Sequence, residues 1–308
     1  MLVSIKILSK LFNAEFKEIK LHCGHLLKKK LYFKYLDGLG REKVINIILN
    51  KILIDTQIIA SKGRKKKWQD GWQESFAEYK KTKKELALIP KFYTARENKY
   101  FRLGGKLIQV KDRLFETKMI NIHRNWYFKK YFSNVDSVYE FGAGTGFHLL
   151  EFAKIFPNKN LYGSDFVQSS VNLLKLISKR NNLNMKSFLF DMTKPNKKIK
   201  LCKNSGVYTA GSIEQLSGKV EPFIKYILSQ KPKIVLHQEP VIEWCIKNQL
   251  VDYLGYLFQK KRRYTDNLLS ILRDLENKGI IKIIKTMKSP FGSLMMDGNN
   301  LIVWKPIK

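Results

Sequence analysis

Cysteine, acidic residues and uncharged apolar runs are all scarce in this chain. Its three cysteines, Cys23, Cys202 and Cys245, lie far apart in 308 residues and form no C-x-x-C pair. Neither a disulfide framework nor a zinc ribbon can be built on that spacing, so reduced thiols are expected. His22, Cys23 and His25 fall close together, but in a basic segment, and no metal is expected there. No apolar stretch stays free of charge for the length that a bilayer demands. The N-terminal MLVSIKILSKLF carries lysines inside its apolar part, where a secretory signal keeps an uncharged core, so a cytoplasmic protein is expected.

Acids number 26 against 58 lysines and arginines, which leaves a formal charge of +32. Such a field attracts polyanions, and nucleic acid is one partner it admits. The lysines are nevertheless spread along the whole chain, with Lys62 to Lys67 the densest run. Isoleucine and asparagine are abundant too, a usage that AT-rich coding also produces, and a merely solvated basic surface is the alternative.

Apolar residues reach 44%, enough to bury a substantial core. Three regions follow. Residues 1–67 are basic and mainly helical, with VINIILNKILIDTQIIA reading as a buried helix or helix pair and the lysines around Gly63 as a linker or exposed turn. Residues 68–133 open with Trp68, Trp72, Phe76 and Tyr79 at helical spacing, an aromatic stripe that is either core or a lid over a ligand. Tyr93, Tyr100 and Phe101 follow with Arg96, Arg102 and the Gly104-Gly105 turn; this part reads as irregular and faces substrate. Residues 134–308 alternate strands with helices: SVYEF, NLYGSD, KSFLFD, GVYTAGS and KIVLHQ are apolar strands, and IIKIIKTMK and LIVW close the chain around DGNN. The expected fold is α/β: a seven-stranded, mostly parallel sheet with an antiparallel C-terminal hairpin, helices on both faces and the helical N-terminal extension.

The most informative string is VYEFGAGTGFHLLEFA. Glycines 142, 144 and 146 stand between a strand and a helix, where they permit a tight turn and close approach of backbone to ligand. A dinucleotide loop would need a glycine at 147, which is Phe. The pattern E-x-G-x-G-x-G from Glu140 instead resembles motif I of class I S-adenosylmethionine-dependent methyltransferases. The resemblance is best over residues 136–195 and looser to the C-terminus; it does not touch residues 1–67. Asp165 ends the second strand and can accept hydrogen bonds from both hydroxyls of a ribose. The resemblance implies that role for it. It implies that Asp191, ending the third strand, accepts from the adenine amine, and that the backbone N–H of Met192 bonds a ring nitrogen. Glu140, Gly142, Gly144 and Gly146 complete the expected cofactor set. The reading requires residues 142–146 to be open to solvent and both acids to face one shared cavity.

Ligands of open parallel sheets lie beyond the carboxyl ends of the strands. The fourth strand ends in Ser212, Glu214 and Gln215, the fifth in His237, Gln238 and Glu239. Methyl transfer to a hydroxyl needs alignment and a base for the acceptor's proton. His237, Glu239 and Glu214 are the candidates, whereas His148 is expected only to pack or cap. After the fourth strand GSIE stands where nucleic-acid amino methyltransferases commonly carry N/D-P-P-Y/F, which argues against base amino methylation. The expected acceptor is therefore a small molecule or saccharide hydroxyl. RNA modification through the basic N-terminal region is the second reading, and a non-catalytic scaffold is the third.

Overall fold

The computed structural model describes residues 1–59, 63–94, 99–288 and 290–307. The chain begins with α1 (Ile5–Phe12), α2 (Phe16–Cys23), β1 (Phe33–Tyr35), α3 (Gly38–Ile54), α4 (Arg64–Thr82), β2 (Tyr100–Leu103), β3 (Lys106–Val110) and α5 (Phe115–Phe132). It continues with β4 (Ser137–Phe141), α6 (Phe147–Ile155), β5 (Asn160–Asp165), α7 (Gln168–Arg180), β6 (Met185–Leu189), β7 (Ser205–Ala210), α8 (Glu221–Gln230) and β8 (Ile234–Glu239). It closes with α9 (Leu250–Lys261), α10 (Leu268–Asn277), β9 (Ile281–Met287), β10 (Phe291–Gly292) and β11 (Asn300–Pro306).

Seven strands form the main sheet in the order β6-β5-β4-β7-β8-β11-β9. All pairs from β6 to β8 are parallel, and β11 runs antiparallel to both of its neighbours. Successive side chains leave a strand on opposite faces, and the sheet is covered twice. Val138, Leu161, Leu236 and Val303 pack against α5, α6 and α7 through Phe128, Leu149 and Leu174. Their neighbours in sequence, Tyr139, Val235, Ile302 and Trp304, face α8 and α10 through Phe223, Ile227 and Leu272. The run of apolar residues in each strand follows from burial on both sides.

The N-terminal part departs from a purely helical extension. A second sheet, antiparallel and ordered β1-β3-β2-β10, packs there, and β10 comes from the far end of the chain. Phe291 pairs with Leu103 and Gly292 with Arg102. The link from β9 to β11 is thus not a tight DGNN turn but an excursion to the other sheet. Arg102 fastens it, donating to the carbonyls of Leu294 (3.1 Å) and Met295 (2.9 Å). The segment around Gly63 is not a linker either, because Lys65 to Lys67 form the first turn of α4. VINIILNKILI forms the single helix α3, buried through Val44, Ile48 and Ile52. Lys62, Arg96 and the last residue of the apolar stretch, Ala60, lie outside the described residues.

Helix α5 lies beyond the part expected to be irregular, in a stretch for which the sequence suggests no element. It is buried around nearly its whole circumference, with Glu116, His123, Arg124 and Asn125 inside alongside its aromatics. A helix enclosed on all sides has no polar stripe, so periodicity does not reveal it. His123 is packed between Phe12 and Trp126, and neither ring nitrogen meets a partner among the described residues.

Close packing of α5 on the sheet rests on Gly206 in β7, where an added Cβ would lie 2.5 Å from Phe132 Cδ1. Gly206→Ala is expected to lower the stability measured by urea unfolding by about 1–3 kcal/mol, the usual cost of overpacking. Unchanged stability would mean that the Phe132 ring moves aside without loss.

Candidate cofactor and acceptor site

Gly142, Gly144 and Gly146 follow β4 with φ of 76°, 53° and 74°. Side chains disfavour this left-handed region, and glycine enters it freely. The loop is sewn to the tip of β5. Gly142 and Ala143 donate N–H bonds to the Ser164 carbonyl at 2.9 and 2.8 Å. The Gly144 N–H donates to Asp165 Oδ2 at 3.0 Å, and Ser170 Oγ returns a bond of 2.5 Å to the Gly144 carbonyl. A Cβ on Gly142 would collide with Ser212 after β7 and lie 3.5 Å from Met192 Cε after β6. Gly146 faces another way: its Cβ would meet Leu174 Cδ2 at 2.8 Å and Ile177 Cδ1 at 3.0 Å on α7. The absence of a side chain at Gly146 thus lets the loop pack against α7.

Asp165 is buried, and its other oxygen accepts the Val167 N–H at 3.2 Å. Burial pushes its pKa up to about 6, against the opposing pull of the amides of Gly144, Val167 and Phe166. Asp191 lies just past β6 and is exposed; its Oδ1 accepts the N–H (2.8 Å) and hydroxyl (2.7 Å) of Thr193. The two strand tips are tied by the Phe190 N–H donating to the Asp165 carbonyl at 2.8 Å. Glu140 is buried under the loop with Oε2 unpartnered among the described residues. Burial holds its carboxyl well above the usual range, Asp165 adds to this, and Arg124 and the Leu149 amide oppose it. Loop, both acids and Met192 thus converge on one group of strand tips.

Helix α4 covers them. A Cβ on Gly144 would lie 3.0 Å from Trp72 Cζ2, and Trp72 itself packs on Trp68 with ring centres 5.1 Å apart. Gln69 Oε1 accepts the Ser169 N–H at the start of α7 (3.2 Å). Thr145 Oγ1 donates to the Leu88 carbonyl at 2.5 Å. The Arg64 guanidinium lies 4.7 Å over the Phe166 ring, with Nε buried and unpartnered among the described residues. Burial lowers the Arg64 pKa, while Asp191 and Asp165 act to raise it. Ala143 to Gly146 are consequently buried, and the open cavity expected over the loop is closed by the aromatic stripe. Of that stripe, Tyr79 and Phe76 pack with the apolar core and Trp72 lies over the loop.

The residues still fit S-adenosylmethionine by their chemistry. The glycine cradle, a buried carboxylate at the second tip, an exposed one at the third and an orphaned Glu140 oxygen are what a nucleoside carrying an ammonium group would meet.

Among the acid–base candidates His237 must be withdrawn. Trp304 Nε1 donates to its Nε2 (3.0 Å), so Nδ1 carries the proton and donates to Thr209 Oγ1 (2.9 Å). The ring is fully buried, and burial pushes its pKa down to about 3. It has no free nitrogen with which to take a proton. Glu239 is also inward: Oε1 accepts the Ser212 N–H at 3.1 Å, which fastens the turn after β7. Burial lifts its pKa to about 7, opposed by the amides of Ile213 and Ser212. Glu214 remains. Its Oε1 accepts from Gln215 Nε2 at 2.7 Å, and its pKa is pushed up to about 8, by burial first and by the neighbouring Glu239 second.

Sequence reasoning missed a buried polar chain beneath these tips. Tyr127 of α5 bonds the Tyr208 hydroxyl (2.8 Å) and Gln238 Oε1. Tyr208 bonds His148 Nδ1 (3.3 Å) and also donates to Gln238 (2.8 Å). Gln238 Nε2 in turn donates to Asn299 Oδ1 (2.5 Å). Glu116 lies inside as well, its pKa raised to about 8 by burial. His148 is therefore a member of this chain and not a cap. In sequence these residues look like ordinary strand and helix positions, and only α5, itself unseen, brings them together.

The strand order, the single antiparallel strand β11 and the glycine loop after β4 make an α/β fold with a seven-stranded, mostly parallel sheet. No family model and no curated protein matches the chain. Among solved structures it is similar to the methyltransferase domain of bacterial CtHen1, at 16% identity over 61% of this chain and 98% of that one, TM-score 0.45. Magnesium protoporphyrin IX methyltransferase from Synechocystis PCC 6803 with bound SAM is 11% identical over 63% of this chain and 81% of its own, TM-score 0.44. The mitomycin 7-O-methyltransferase MmcR is 11% identical over 99% of this chain and 88% of its own, TM-score 0.44. Likenesses this distant concern the fold and lend no weight to a shared reaction.

Glu214 makes stability depend on pH. Its folded pKa of about 8 exceeds the ordinary 4.5. Its contribution is thus complete below the unfolded value and is lost as pH rises through the folded one. Unfolding by denaturant should show wild type losing up to about 1.4 kcal/mol per pH unit through that window from this group. Glu214→Gln should reduce the slope by that amount, leaving the part due to other buried carboxyls such as Glu116, Glu140, Asp165 and Glu239; parallel curves for the two proteins would refute the burial of a neutral carboxyl.

Proposed function

We propose that this protein is an S-adenosylmethionine-dependent methyltransferase that methylates a hydroxyl of a small molecule. The observation that carries the reading is Asp165 at the second strand tip, bound to the Gly144 amide and beside the Asp191 tip. When bound, S-adenosylmethionine supplies an electrophilic methyl on a sulfonium whose leaving group is a neutral thioether.

The chain's own residues then have separable tasks. Asp165 would accept from the ribose hydroxyls and Asp191 from the adenine amine, with the Met192 N–H donating to a ring nitrogen. Gly142 and Gly144 let the backbone approach where a Cβ would strike Ser212 or Trp72. The buried Glu140 oxygen suits the amino group of the methionyl moiety. Trp72 and its helix keep water from the loop, and a dry site strengthens each of these contacts. Entry of the cofactor requires the Arg64–Trp72 half of α4 to lift. The other half is held by Arg180, whose Nη1 donates to the Tyr79 carbonyl at 2.7 Å.

Glu214 is the base. Its high pKa makes its carboxylate a better proton acceptor than an exposed one, at the expense of the fraction ionised near neutrality. It takes the acceptor's hydroxyl proton as the oxygen–carbon bond forms. Glu239 and His237 position the turn and the sheet around it.

Asp165→Ala is expected to weaken S-adenosylmethionine binding in calorimetry by about 10–100-fold, through the lost ribose hydrogen bonds together with the freed Gly144 and Val167 amides, with the helix and strand content seen by circular dichroism unchanged. Wild-type affinity in that variant would remove the ribose assignment. Turnover should rise with pH toward about 8, following the Glu214 carboxyl. Glu214→Gln should lower kcat by about 100-fold or more while cofactor affinity stays within a few-fold. A pH profile shared by wild type and variant would exclude Glu214 as the base.

A further inference from the structure

A cavity of about 600 Å³ lies between the N-terminal segment and the amino-terminal halves of α5 and α6. Its walls are apolar, with Leu26, Leu88, Ile89, Leu114, Phe147 and Leu150 facing the space. Its charge is one-sided: Lys28, Lys29, Lys118, Arg124 and Lys154 line it against only two carboxylates, Glu85 and Glu151. Lys118 is committed to Asp112 and Lys154 to Glu85, each at 2.5 Å. Lys28 and Lys29 are exposed and have no acidic partner among the described residues. Arg124 is buried, and its carboxylate partner among the described residues, Glu151, is 3.5 Å away.

The cavity adjoins the strand tips. Phe147 follows Gly146 directly, and its carbonyl accepts from Arg124 Nη1 at 3.1 Å. Leu88, another wall residue, accepts the Thr145 hydroxyl of the glycine loop. Apolar walls with unpaired cations among them select a ligand with an apolar body and an anionic group, since an apolar cation would meet repulsion and a sugar would leave the walls unfilled.

We propose that this cavity binds an amphipathic anion whose acid group pairs with Lys28 and Lys29 while its apolar body packs against Leu26, Leu88 and Leu150. The binding site stands independently of the methyltransferase reading.

The test uses the full chain without S-adenosylmethionine and two fluorescent probes of similar apolar body, anionic 1-anilinonaphthalene-8-sulfonate and neutral N-phenyl-1-naphthylamine. The sulfonate should bind wild type with one saturable site. The double variant K28E/K29E should weaken it about tenfold or more through loss of the charge-assisted contacts, while the neutral probe changes less than about twofold. Leu86, exposed at the cavity wall, provides a second handle: Leu86→Trp should weaken both probes without a folding penalty. K197E/K198E alters the net charge equally at exposed residues that do not line the cavity. If that control weakens the sulfonate as much as K28E/K29E, the protein's overall field is responsible and the site is disproved. Unaltered sulfonate binding in K28E/K29E would disprove it equally.

Discussion

The bond from the Gly144 amide to Asp165 is the constraint on which the site depends. A carboxylate buried at a sheet tip is costly to desolvate, and backbone N–H groups aimed at it offset that cost. Asp165 takes two such bonds, from Gly144 and Val167, so the turn before α6 and the turn before α7 are set by one side chain. The Phe190 amide on the Asp165 carbonyl then brings the third tip into line. Loop shape, acid position and strand register hold each other, which is why a glycine pattern in one segment and an acid about twenty residues later describe a single object.

A second constraint is the interleaving of the chain's two ends. β10 leaves the main sheet between β9 and β11 to complete the small sheet, and buried Arg102 binds the carbonyls of that excursion. The N-terminal segment is thereby anchored over the strand tips, where it supplies Trp72 above the loop and Leu88 beside Thr145. Cover and cavity wall come from the same segment, so the region least like the resembled family shapes access to the site.

The parts of the fold that were legible share a property: their signal is local. The apolar strands SVYEF, NLYGSD and GVYTAGS are buried on both faces, and their composition says so without knowledge of neighbours. Gly142 and Gly144 need left-handed backbone, a demand that residue type reveals directly. Helix α5 was illegible because enclosure erased its stripe, and with it went Tyr127, Glu116 and Arg124. His237 looked like a base because strand ends in such sheets carry chemistry. Its partners Thr209 and Trp304 lie on two different neighbouring strands, at separations that no motif records.

From sequence alone came the seven-strand alternation, the loop after the first of those strands and the two acids at the next two tips. These follow from residue type and from periods of two and three or four, which reflect backbone geometry. Tertiary structure alone decided which acids are sealed and which are open, that Gly146 packs against α7, that the aromatic stripe lies over the loop and that a basic cavity opens beside it. Those outcomes depend on the desolvation and packing of groups far apart in the chain, and a linear string does not hold the distances that set either one.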